Sequence, residues 1–136
     1  MYLIGFPLLV IPFAIYNMIA FLMPGLNWSD KVMSFPLISG ADWVMSASDF
    51  LITLAILLLP LEVLKATRIG VRSIVDHILS MVLFVAMLVE FLLVRQAGSS
   101  TFFILMMISV VDVLAGFTVT LRTAQRDMTI EKVEAA

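Results

Sequence analysis

Four polar side chains interrupt the long apolar runs of this chain: Asn17, Asp49, Glu90 and Asp112. Asp112 is the most telling. It lies near the middle of Thr101–Leu121, a stretch long enough to cross a bilayer. A carboxylate at that depth costs roughly 2.5–3.5 kcal/mol on insertion scales, so it is expected to have a partner or a task. At ~1.5 Å rise per residue, Asp49 and Glu90 fall ~7 Å below the outer boundary, Asn17 ~9 Å and Asp112 ~16 Å. If all four face one interior, they form an acidic funnel open to the outer side. Close carboxylates cannot all ionise cheaply, and burial favours their neutral form. Such a funnel would bind protons or a cation, as a proton-coupled transporter requires. Two plainer readings stand beside it. Asn17 and a protonated carboxylate could simply cross-link helices. Alternatively, Asp49 and Glu90 could reach the interface and pair with Arg95 or Lys31.

Helical spacing gives the Asp112 segment a stripe of small and polar residues: Thr101, Ser109, Asp112, Gly116, Thr120 and Thr123. Small residues allow close helix approach and hydroxyls bond across the contact. Ser109, Gly116 and Thr120 are therefore candidate packing residues, and Asp112 is either hydrogen-bonded within that seam or an ion-binding group.

Glu62, Lys65, Arg68, Arg72, Asp76, His77 and Arg122 make a mixed-charge belt at the other end. Arg72 and Asp76 have i, i+4 spacing. Anchoring at the interface accounts for the belt, and Lys65, Arg68, Arg72 and Arg122 are candidate contacts for anionic lipid head groups. His77 could pass protons between Asp76 and the cytoplasm, although a lone interfacial histidine is more often structural.

Other chemistry is poorly supplied. There is no cysteine and a single histidine, so thiolate sites and histidine-rich metal sites cannot be built within one chain. Ten methionines offer thioethers, but without histidine or cysteine partners they read as flexible packing. The sequence Val111-Asp112-Val113-Leu114-Ala115-Gly116 is not the Gly-x-Gly-Asp pattern of intramembrane aspartyl proteases. HExxH, GxSxG and phosphate-binding glycine loops do not occur. Neither enzymatic activity nor a cofactor or metal is expected. No basic stripe points to nucleic acid.

The residues that position these groups are those of a membrane protein. The chain of 136 residues is 62% hydrophobic and 13% charged, too few charges to coat a water-exposed globule. Four segments, about 3–23, 43–64, 74–94 and 101–121, approach the ~20 residues that cross the hydrocarbon core as helix. The first has no basic flank and is longer than a signal-peptide core, so it is read as a retained helix. Pro7 suits its first turn, while Pro12 and Pro60 should each free a carbonyl. The loop 24–42 should hold a brief helix capped by Asn27 or Ser29 and ending before Pro36, with Trp28 and Val32 on one face. Its tryptophans belong at the outer membrane interface. Gly98 and Ser99 or Ser100 suit a tight turn between the third and fourth helices. The tail 122–136 should be cytoplasmic, frayed and solvated from Asp127 onward.

Lys65, Arg68, Arg72, Arg122, Arg126 and Lys132 fall on one side, Lys31 and Arg95 on the other. That asymmetry places both termini in the cytoplasm. The expectation is thus a single all-α domain, a four-helix transmembrane bundle of the bacterial inner membrane. It would serve as a non-catalytic subunit or homo-oligomeric component among membrane lipids and other subunits. The alternative is a small proton- or cation-coupled transporter or channel.

Overall fold

The computed structural model describes residues 6–67 and 71–135; the side chains of 71–73, 120, 123, 124, 127 and 131–135 lie outside the description. The chain is mostly helical. In order it forms α1 (Val10–Leu22), β1 (Lys31–Pro36), β2 (Asp42–Ser46), α2 (Ala47–Lys65), α3 (Val71–Leu93), a short 3-10 turn (Arg95–Ala97) and α4 (Ser100–Ala135). Within these, Ala47–Lys65, Ile74–Leu93 and Ser100–Val119 are long and apolar enough to span a membrane.

The first helix departs from expectation. It has 13 residues, about 20 Å, well short of the ~30 Å hydrocarbon core. Pro12 sits in its first turn, where an N–H would have no intrahelical acceptor in any case, so it frees no carbonyl and need not kink the helix. The segment before it turns rather than coils: the Val10 N–H bonds the Pro7 carbonyl and the Ile11 N–H the Leu8 carbonyl.

The loop 24–42 is not helical. Lys31–Pro36 and Asp42–Ser46 pair antiparallel, so the chain is not wholly α. The Pro36 ring favours extended backbone at Phe35. Gly40, at φ +91°, turns the chain, and the Leu37 N–H bonds the Ala41 carbonyl at 2.8 Å. The strand register pairs Met33 with Met45, Ser34 with Val44, Phe35 with Trp43 and Pro36 with Asp42. Trp28 and Val32 therefore share no helix face. Trp28 stacks on Tyr16 of α1, with ring centroids 4.5 Å apart.

The hairpin leads directly into α2. Ser46 caps that helix by accepting from the Asp49 N–H, while the Asp49 carboxylate accepts from the Ser46 N–H, each at 3.1 Å. This reciprocal box satisfies two backbone donors at the helix start. The helix then runs unbroken through Pro60, whose side chain is exposed. Helix α4 is much longer than expected. It has 36 residues, about 54 Å, and continues through the tail. Arg122 to Ala135 contains neither glycine nor proline and is rich in good helix formers.

The core gathers Tyr16 of α1, Leu51 and Ala55 of α2, Leu83 and Met87 of α3, and Phe102, Leu105, Met106 and Ile108 of α4. Phe102 meets the Tyr16 ring edge-on at 4.9 Å and stacks with Phe91 at 6.1 Å.

Candidate functional site

Helix α2 carries the first components of the site in its last turn. Glu62 and Lys65 lie one turn apart and form an ion pair of 3.2 Å. Both are almost fully buried, at 5% and 6% exposure. A buried pair needs its remaining polar positions filled, and here the segment before α1 fills them. The Leu8 N–H donates to Glu62 Oε1, and Lys65 Nζ donates to the Phe6 carbonyl. Backbone groups that no turn of α1 can satisfy are thus answered by side chains more than fifty residues later.

Helices α3 and α4 complete the cluster. Asp76, His77 and Ser80 come from α3, Asp112 and Gly116 from α4. Together with Glu62 and Ala66 they line one cavity of about 10 Å³, near the lower limit for a single water. Asp112 is 4% exposed. Ser80 is its hydrogen-bonding neighbour, and Glu62 and Lys65 lie close enough to act on it electrostatically. Its second oxygen, Oδ2, is buried without a hydrogen-bond partner among the described residues. Asp76 is also buried, and His77 stacks on Phe117 at 5.5 Å. The cavity gathers three carboxylates, a hydroxyl and an imidazole, and the Lys65 ammonium lies against one of the carboxylates, Glu62. It is suited to holding charge and protons. Among the described residues no three His, Asp or Glu side chains converge in metal-holding geometry.

The acidic funnel does not form as drawn from the sequence. Asp112 meets Glu62, Asp76 and Ser80, not Asp49 and Glu90. Asp49 is exposed and committed to its capping box. Glu90 is half-buried beside Asn17. The Asn17 amide donates to the Phe13 carbonyl at 3.0 Å, while Asn17 Oδ1 and Glu90 Oε2 lack hydrogen-bond partners. From Ser80 to Glu90 along α3 is about 15 Å, and the inward-facing side chains between them are Leu83 and Met87. Leu51 and Ala55 on α2 and Leu105 and Ile108 on α4 extend the same apolar layer.

Above that layer lies a second polar set. The Tyr16 hydroxyl bonds the Gln96 carbonyl at 2.8 Å and Ser99 Oγ at 2.7 Å. Ser48 Oγ meets Thr101 Oγ1 at 2.8 Å, and the Phe102 N–H donates to Ser99 Oγ at 3.2 Å. These contacts fasten α1 and α2 to the α3–α4 turn.

The remaining expected residues divide. Ser109 is buried in the packed interior. At Gly116 an added methyl group would meet His77 Nδ1 at 3.7 Å and Ala66 Cβ at 3.8 Å, ordinary contact distances, so close approach does not require glycine there. Lys65 faces inward, which corrects its assignment to lipid head groups. Arg122 is exposed. Arg68 and the side chains of Arg72, Thr120 and Thr123 lie outside the described residues. The sequence reading missed Glu62 and Lys65 as interior groups because it treated the helix end as interface. Their i, i+3 spacing and opposite charge were the available signal. Comparison with protein-family models, with curated proteins and with solved structures finds no match.

Proposed function

We propose that the chain is a non-catalytic integral membrane protein that assembles with copies of itself or with other membrane subunits. One observation carries this reading: the apolar seam of α4. Phe103, Met107, Val110, Leu114, Phe117 and Leu121 recur at alternating intervals of four and three, and Met128 follows seven residues later. All are exposed except the half-buried Val110. Such spacing is the seam of a left-handed helix pair. Within lipid, exposed leucine and phenylalanine are unremarkable. Beyond Val119, past the apolar span, every described side chain from Leu121 to Ile130 is exposed. An isolated helix of that length is marginal in water, and a partner along the seam stabilises it.

The orientation in this reading follows the basic residues, with both termini and the α2–α3 connection in the cytoplasm and a bacterial inner membrane as the setting. The polar cluster then acts as a structural lock between α2, α3, α4 and the segment before α1.

The test uses the absence of native cysteine. In membranes, Met128→Cys should give a covalent dimer on mild oxidation, or a covalent adduct with another subunit, and Thr129→Cys should give little of either. Absence of both adducts, with a monomer that purifies alone, would overturn the proposal.

A second reading rests on Asp112 Oδ2, which faces a cavity shared with Glu62 and Asp76 without a donor of its own. That group would bind a proton or small cation in a coupled transporter. It predicts flux in reconstituted vesicles that Asp112→Asn abolishes while folding and assembly persist. Equal flux from both proteins, or no flux under H⁺, Na⁺ and K⁺ gradients, removes it. The apolar layer between Ser80 and Glu90 weighs against a continuous polar path.

A further inference from the structure

The β1–β2 hairpin leaves more apolar side chain exposed than a two-stranded ribbon in water can support. Side chains alternate across a strand, and cross-strand partners share a face. The register therefore places Met33, Phe35, Trp43 and Met45 on one face, and Ser34, Pro36, Asp42 and Val44 on the other. The first face is entirely apolar. Phe35 and Trp43 stack on it at 6.1 Å while remaining about half exposed. The tip continues the same character, with Leu37 exposed and Ile38 fully so. No charged residue occurs between Lys31 and Asp42.

The hairpin is also fixed in place. The Ala47 N–H bonds the Asp30 carbonyl and the Ser48 N–H the Trp28 carbonyl, each at 2.9 Å. With the Ser46–Asp49 box, these bonds join the ribbon to the first turn of α2 without a spacer. If α2 spans a bilayer, the hairpin must lie at the boundary of the same bilayer. Its occupant is then set by position: the ribbon meets the region where head groups give way to acyl chains.

We propose that this hairpin is a lipid-contact element. Its Met33–Phe35–Trp43–Met45 face and Leu37–Ile38 tip lie in the outer interfacial layer. Tryptophan and other aromatic rings favour that depth. The depth is also bounded from below. Both outer strand edges present unpaired N–H and C=O groups, which need water and cannot enter the hydrocarbon core. The ribbon consequently lies flat and shallow, as interfacial amphipathic elements do, with its apolar side about 5–10 Å into the boundary.

The experiment places single cysteines at three positions, labels them with a polarity-sensitive fluorophore and reconstitutes the full chain in phosphatidylcholine–phosphatidylglycerol vesicles. Leu57→Cys, exposed on the middle of α2, reports whether that helix spans. Ile38→Cys reports the tip, and Asp42→Cys reports the opposite face. The expected result is blue-shifted emission at position 38, quenched by lipids carrying a quencher near the head group and protected from aqueous iodide. Position 42 remains open to iodide. A label at 57 quenched by deep lipid quenchers, together with a water-exposed label at 38, would overturn the hairpin inference and leave the spanning reading intact. Protection at 38 with energy transfer between labelled copies and no lipid quenching would also overturn it, in favour of a second chain. A label at 57 that no lipid quenches would remove the spanning reading on which the inference rests.

Discussion

The two ends of the helix packing use charged residues in opposite ways. At the hairpin end Asp49 acts over short range, sharing with Ser46 the cap of the helix they begin, and the bonds between helices are left to neutral groups, Tyr16 to Gln96 and Ser99 and Ser48 to Thr101. At the other end charged side chains act over long range. Glu62 and Lys65 hold backbone groups of residues 8 and 6, and Asp112 faces side chains from two other helices. Asp49 and Asp112 are the same residue type, read from the sequence as members of one cluster. Their different roles follow from where the helices begin. Asp49 is the third residue of α2, within reach of orphan N–H groups. Asp112 lies twelve residues into α4, where the backbone is already paired and only side chains remain to meet it.

The largest expected effect comes from unbalancing the long-range end. Glu62→Ala leaves a buried ammonium group beside an unanswered Leu8 N–H, at a cost of about 3–5 kcal/mol. Unfolding in mixed micelles should show the folded fraction collapsing. The double variant Glu62→Leu/Lys65→Met should be milder than Glu62→Ala alone, because it removes both charges together. A double variant at least as damaged would mean that the backbone bonds, not the charges, dominate.

Tyr16→Phe comes next. It removes the hydroxyl that bonds Gln96 and Ser99, with a loss of about 1–3 kcal/mol. The Trp28 stack should persist, so near-ultraviolet dichroism should change little while the unfolding midpoint falls. At the short-range end, Ser46→Ala should cost about 1 kcal/mol, seen as faster hydrogen exchange at the Asp49 amide. Asp49→Asn should leave assembly and any ion flux unchanged; a loss of flux would return Asp49 to the site. The smallest effect has the opposite sign. Gly116→Ala has room for its methyl group and should stabilise α4 by up to about 1 kcal/mol in thermal unfolding. A destabilised Gly116→Ala variant would show that the cavity between Asp112 and His77 does not tolerate filling.

Three helices were legible because long apolar runs leave few alternatives. Residues 43–64, 74–94 and 101–121 were expected, against Ala47–Lys65, Val71–Leu93 and Ser100–Ala135. The hairpin was missed because Trp28 and Val32 have helical spacing, although Pro36 and Gly40 pointed to extended chain and a turn. The end of α4 was read as frayed, although the residues from Arg122 to Ala135 include neither glycine nor proline to stop a helix. The site was misplaced for a geometric reason. Counted from the hairpin end of each helix, Glu62, Ser80 and Asp112 lie at about 22, 20 and 18 Å. Matching depths would have grouped them. Choosing one polar residue per helix in the outer half grouped Asp112 with Asp49 and Glu90 instead.

The bond between the Leu8 amide and Glu62 also constrains the order of biogenesis. During synthesis, the start of α1 emerges well before the residue that answers it. A helix of 13 residues is too short to hold a bilayer alone. The Leu8 amide and the Phe6 carbonyl therefore go without these side-chain partners until the last turn of α2 is made, and the start of α1 completes its bonding only together with that helix.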